Sequence, residues 1–191
     1  MFYRLVLNLT LFCSLVFAEC ASAQSGVEPI AQSKEVLTPS SSIDALNVAA
    51  RSALAPILTA WIESAHKAAI GYGVHEIPRS IREALTDHVP GETLDRVRWN
   101  IDDSVVSMQQ LLFQIGHSPA VTLDSVIVFA SAEDAANVTL WAHEIFHVMQ
   151  YRDWGVDGFA ARYLADYAAV EHDAAEFRWQ WMRATGRVPT P

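Results

Sequence analysis

The sequence predicts an α+β fold, mostly helical, with a small β-sheet packed beside one buried helix. Three observations carry this. Most of the chain after residue 43 repeats apolar residues at helical spacing. Two short stretches, around residues 97–101 and 121–130, switch to the alternating or β-branched pattern of strands. One helical stretch, "LWAHEIFHVMQY" at 140–151, is apolar around most of its circumference and so must be buried, yet it holds two histidines and a glutamate.

The chain has 191 residues, enough for one domain with a sizeable core. Hydrophobic residues make up 51% and charged residues 18%, which is a globular composition. Residues 1–23 read as a signal peptide: Arg4, an apolar run from Leu5 to Ala18, then Ala21-Ser22-Ala23 as the cleavage site. The chain is therefore expected to be exported, either periplasmic or secreted. The run is short for a membrane span and lacks a basic stop-transfer flank, which weighs against an uncleaved anchor. Glu19 before Cys20 weighs against lipid attachment. Cys13 and Cys20 both lie in the segment to be removed, so the mature chain would hold no disulfide. The formal charge is −9, and loss of Arg4 and Glu19 leaves it unchanged. Such an acidic chain suits neither nucleic acid nor, once the signal is cut, an anionic membrane.

Residues 24–42 are polar with two prolines and read as a flexible leader. A single domain is expected over 43–186, with 187–191 as a tail. A helix should span about 43 to 70, capped by Ser42 or Asp44, broken or kinked at Pro56, and ended by Gly71 and Gly73. A short helix, "RSIREALTDHV", follows Pro78 and stops at Pro90-Gly91. In "DRVRWNI", Val97, Trp99 and Ile101 alternate with Arg96, Arg98 and Asn100, as in a half-buried strand. "VTLDSVIVFA" at 121–130 reads as a second strand. Ser131 and Asp134 form an acidic capping box for a helix from about 133 to 152, with Gly155 just past its end. Residues 157–186 should form two more helices, closed by Gly186 and Pro189.

His143 and His147 are four residues apart, so a helix sets both imidazoles on one face, one turn apart, where they can share a metal ion. Glu144 lies about 100° round the helix, awkward as a ligand but well placed to hold a water and take its proton. The bland alternative is a pair of satisfied core histidines. Two histidines and a glutamate in a buried helix need partners, and a metal supplies one. A third ligand must come from downstream. A continuation with Gly at 150 and His at 153 is absent, since Gln150 and Asp153 stand there. Glu171 and Glu176 are the candidate carboxylates, with His172 and Asp173 chemically possible.

The stretches "IPRSIREAL", "LDRVRWNI", "AVTLDSVIVFA", "LWAHEIFHVMQYRDWGVDGFAARYL" and "VEHDAAEF" together resemble a bacterial family of zinc-metallopeptidase-like domains of unknown function. It is also described as the core domain of extracellular contractile injection system effectors. The resemblance covers about 55–180. It implies a minimal zincin-like fold, Zn2+ as the cofactor, His143, His147 and Glu171 as ligands, and Glu144 as the catalytic base. One departure is Ala175, where better-known relatives carry an Asp that supports the first histidine, so another carboxylate or carbonyl must orient His143. The helical pattern also favours Glu171. It precedes Ala174, Phe177 and Trp181 on one apolar stripe, whereas Glu176 is rotated about 140° away. A competing role for Glu171 is an ion pair with Arg162.

Tyr163, Tyr167 and His172 lie near the inferred site and are candidates for stabilising an oxyanion. Trp179 and Trp181 read as packing, and His66, His75, His88 and His117 have no clear partners. The function expected is an exported zinc-dependent peptidase with a peptide or protein substrate held along strand 121–130. The alternative is a zincin-like metal-binding module that acts in docking to a protein partner or in delivery, without peptidase activity. A minor alternative is a ferritin-like di-iron protein, because Glu63-x-x-His66 and Glu144-x-x-His147 are both Glu-x-x-His pairs.

Overall fold

A computed structural model describes residues 39–101 and 119–188. The expected signal peptide, the expected leader up to residue 38, His117 and the last three residues lie outside the described residues.

Helix α1 runs from Pro39 to Tyr72, beginning four residues before the expected start. It continues through Pro56 without a break. Proline has no N–H for the carbonyl of Ser52, but Ser52 and Pro56 are exposed, so that carbonyl is open to solvent. The second half of α1 is the part packed into the core, while Arg51 in the first half ties the helix to the Ala165 carbonyl at 3.0 Å. Ile62, Ala65 and Ala69, at helical spacing, are buried, while residues 45–53 are exposed all round. By length and composition, Ala45–Tyr72 is the one described helix that is long and apolar enough to cross a membrane.

A four-stranded mixed sheet follows, in the order β1 (His75–Glu76), β2 (Arg98–Ile101), β4 (Val126–Phe129), β3 (Ala120–Leu123). β2 and β4 are parallel and the other pairs antiparallel. The stretch 121–130, expected as one strand, is a hairpin. Leu123 pairs with Val126 across the two-residue turn Asp124-Ser125, where Asp124 takes φ 53°. Asp tolerates that left-handed conformation better than most residues, which is why the turn falls there. β1 was not anticipated, being only two residues long.

Both faces of the sheet are covered. Val126 and Val128 of β4 meet Ala65 and Ala69 of α1. Ile127 and Phe129 point the other way, into the main core with Trp141 and Ile145. Asn100 of β2 was expected on a solvent face but is buried beneath α1. Its amide donates to the carbonyls of Ala69 and Gly73, each at 3.2 Å, tying the end of α1 to the sheet.

The remaining helices differ from expectation chiefly at their ends. α2 spans Arg79–Leu85, shorter than predicted, and α3 (Gly91–Arg96) takes Asp95 and Arg96 out of the expected strand. The expected 133–152 helix is two. α4 (Ala132–Ala136) is capped as anticipated: Ser131 Oγ accepts from the Asp134 N–H at 3.1 Å and donates to its carboxylate at 2.6 Å. Asn137 then breaks the helix and caps α5, accepting from the Thr139 N–H at 3.1 Å. α5 runs from Val138 to Ala165 with a bend at Gly155, which has φ 69°. Asp166 separates it from α6 (Tyr167–Ala184) and caps that helix through the Ala169 N–H. Among the described residues the helices pack on a four-stranded sheet and not as the four-helix bundle a di-iron site would use.

Candidate metal centre

The first half of α5 is held by its apolar side. Trp141, Ala142 and Ile145 are fully buried, and the Trp141 ring lies 4.7 Å from Phe129 and 5.7 Å from Trp99. That packing fixes the helix's rotation and turns His143 and His147 toward the N-terminal turns of α6, where Glu171 sits.

The three side chains converge. The Nε2 atoms of His143 and His147 are 3.2 Å apart. Glu171 Oε2 is 3.3 Å from the first and Oε1 is 3.6 Å from the second. A tetrahedral zinc with bonds of about 2.0–2.1 Å holds its donors roughly 3.3 Å apart. The observed separations fit that set, so the group could hold a metal ion.

The charges fit as well. Burial pushes the Glu171 carboxyl up, but hydrogen bonds to His143 and His147 and their charges outweigh it and bring it down to about 2. Burial likewise works to lower the His147 pKa. The Glu171 hydrogen bond, the charges of Glu144 and Glu171, and Gln150 together raise it above its ordinary value. The site is a cluster of acceptors that calls for positive charge at its centre.

Gln150, three residues after His147, decides which nitrogen faces the centre. Its amide nitrogen donates to the Val170 carbonyl at 3.2 Å, so its oxygen must face the imidazole. That oxygen accepts from His147 Nδ1 at 2.7 Å. The proton therefore sits on Nδ1, and Nε2 presents its lone pair to the site. The same side chain links α5 to the residue before Glu171. His143 has no such support. Its Nδ1 is buried and has no hydrogen-bond partner among the described residues, so the orienting carboxylate or carbonyl expected for it is not found there.

Glu144 is buried on the side of α5 that meets β3. Thr122 Oγ1 donates to its Oε2 at 2.7 Å. The other candidates are set apart. Glu176 bonds Gln180 at 3.0 Å and Arg183 at 3.2 Å, and His172 and Asp173 are exposed. Arg162 lies over the Trp154 ring, 4.6 Å from its centre, and makes no ion pair with Glu171. Tyr163 and Tyr167 meet edge to face at 5.0 Å. Burial and then the Glu171 charge push both phenols up, Tyr163 strongly. Both thus lie within the field of Glu171.

Trp181 is buried and donates to the Ala84 carbonyl at 3.1 Å, whereas Trp179 is exposed. His66 does have a partner, Ser125 Oγ at 3.4 Å, and His75 packs its ring 5.5 Å from Trp99. Neither joins the metal group, and neither does Glu63. Sequence reasoning missed Thr122 and Gln150. A glutamine on an otherwise apolar face, one turn from His147, was the available signal for the second.

Residues 76–155 match the family model of the eCIS core domain. The match runs from β1 to the Gly155 bend and takes in Thr122, His143, Glu144, His147 and Gln150, while Glu171 lies beyond it. No curated protein and no solved structure matches the chain.

Proposed function

We propose that this chain is an exported zinc-dependent metallopeptidase, with His143, His147 and Glu171 as the metal ligands and Glu144 as general base. The observation that carries it is the convergence of two imidazole nitrogens and a carboxylate within 3.2–3.6 Å of one another, with a second buried carboxylate next to the first ligand in sequence. Two nitrogens and one oxygen suit zinc, and three protein ligands leave a coordination position for substrate chemistry. When bound, zinc supplies Lewis acidity, which lowers the pKa of water and polarises a carbonyl.

The protein's own groups do the rest. Gln150 keeps the His147 proton on Nδ1. Glu144 takes a proton from the attacking water and passes it to the leaving amine. Thr122 donates to Glu144 Oε2, which makes Oε1 the candidate to carry the proton. Tyr163 and Tyr167 are the candidates to donate to the oxyanion. The signal sequence supports export to the periplasm or beyond.

The test is metal analysis of the mature chain, residues 24–191, together with a peptide-library screen for chelator-sensitive cleavage. Glu144→Gln should keep one zinc and the fold but lose most hydrolysis. Wild-type cleavage by that variant, or loss of its metal, would overturn the role. The eCIS core domain match favours a second reading, a metal-binding module that docks to a protein partner without cleaving it. A full zinc complement with no cleavage of any peptide would select that reading.

A further inference from the structure

We propose that Thr122 is a positioning residue for Glu144: its hydroxyl holds one carboxylate oxygen so that the other faces the metal centre. This rests on the metallopeptidase reading for its catalytic consequence, but not for the contact itself.

Glu144 is 5% exposed, and a buried carboxylate needs a partner. Among the described residues no lysine, arginine or histidine forms an ion pair with it, in contrast to Glu171. The partner the structure gives is Thr122 Oγ1 at 2.7 Å from Oε2. The same hydroxyl lies 3.2 Å from the Glu144 backbone carbonyl. It has a single proton, and the shorter contact to the charged acceptor takes the larger share. The side chain and backbone of Glu144 are thus both held by one group on β3.

That group is itself fixed. Thr122 sits opposite Ile127 in the hairpin, whose strands are pinned by the main core and by α1. The Thr122 carbonyl accepts from Tyr151 Oη at 3.4 Å, and Tyr151 is one turn beyond His147 on α5. The register of β3 against α5 is therefore set on both sides of the base. Glutamate has three side-chain torsions, and a free one would sample several rotamers. Pinning Oε2 selects one of them, which matters because proton transfer demands hydrogen-bond reach to the reacting atom.

The obvious alternative is that Thr122 is there for the strand, and the two roles order the substitutions differently. Valine keeps the β-branch and the shape but has no hydroxyl, so a strand role makes Thr122→Val the milder change. Serine keeps the hydroxyl and loses the branch, so a positioning role makes Thr122→Ser the milder one.

The experiment uses the full mature chain with zinc bound. Three quantities are measured: zinc content, kcat and KM on a peptide the wild type cleaves, and the side-chain carboxyl resonance of Glu144 in 13C-glutamate-labelled protein at one fixed pH. The resonance is assigned by its loss in Glu144→Gln. Thr122→Val is expected to keep its zinc, move the resonance and lower kcat by about 10–100-fold, with KM within about twofold, the range typical of residues that orient a metal site. Thr122→Ser should keep the resonance and stay within about threefold of wild-type kcat. In a Glu144→Gln background, Thr122→Val should cause no further loss. If the valine variant does not fold, Thr122→Ala takes its place in the same comparison. A wild-type resonance or wild-type kcat in the valine or alanine variant overturns the proposal, as does a serine variant no better than valine. If the wild type cleaves no peptide, the metallopeptidase reading fails while the resonance still decides the contact.

Discussion

Replacing Gln150 separates two jobs that one side chain performs. Gln150→Leu removes the acceptor for His147 Nδ1–H and the donor for the Val170 carbonyl together. Both partner residues are buried, His147 at 5% and Val170 at 4% exposure, so water does not replace the lost bonds. An unsatisfied buried polar group costs about 1–3 kcal/mol; the His147 Nδ1–H becomes one, whereas the Val170 carbonyl lies within α6 and keeps the bond of its own turn. For a chain of this size that cost lowers the melting temperature of the metal-free protein by about 2–12 °C. Zinc affinity should fall a further 10–100-fold or so, because Nε2 is no longer the enforced ligand nitrogen. Gln150→Glu divides the effects. A carboxylate still accepts from Nδ1–H, more strongly than an amide, but it gives Val170 nothing. Its zinc affinity should equal or exceed that of the wild type, while its stability in chelator falls. The assays are thermal unfolding in EDTA and zinc titration against a competing chelator. Zinc binding by Gln150→Leu as tight as wild type would refute the assignment of the His147 proton. A Gln150→Glu variant as weak as the leucine variant would show that the link to α6, and not the imidazole, is what matters.

Three further outcomes are expected. His143→Ala should lose its zinc entirely by metal analysis, and full retention would remove His143 from the ligand set. Glu171→Ala should weaken zinc by more than the roughly 100-fold that orienting residues reach, whereas Glu176→Ala, whose carboxylate faces Gln180 and Arg183, should leave it unchanged; the reverse pattern moves the ligand to Glu176. Zinc affinity should also fall as the pH drops, because only neutral imidazole binds a metal. In the metal-free protein His147 holds its proton to a pH above its ordinary 6.5, so competition by protons begins above that value, and an affinity that stays flat from pH 8 to 6 would exclude His147 as a ligand.

The fold class was legible because it depends on local period. The helical spacing of α1, α5 and α6 and the alternation in β2 are written within single elements. What was not legible depends on covering surfaces. Asn100 reads as a solvent-facing residue in a half-buried strand, and only the position of α1 makes it a buried tie between helix and sheet. The hairpin at 120–129 was hidden for a related reason. β4 is buried on both faces, so its four apolar residues merge with those of β3 into one apparent strand. The two-residue interruption Asp124-Ser125 was the one local mark of the turn, and neither residue is the glycine that usually announces it.

The same division governs the metal centre. The pairing of His143 with His147 follows from the pitch of one helix, and the choice of Glu171 over Glu176 follows from the apolar stripe of another. Each is a statement about a face, and a face can be read from spacing. Thr122 and Gln150 act across elements, where spacing says nothing. Thr122 reaches Glu144 from 22 positions away, and Gln150 reaches Val170 from 20. Burial nonetheless left a trace of both. Glu144 and His147 lie on a helix too apolar to face water, so each required a partner of its own beside any metal the site holds. Counting unpaired buried groups predicts that such partners exist even where their identity waits for the fold. Within the candidate metal site that count leaves one group unpaired. His143 Nδ1 is buried and has no hydrogen-bond partner among the described residues, although a metal ligand of this kind normally donates its second N–H.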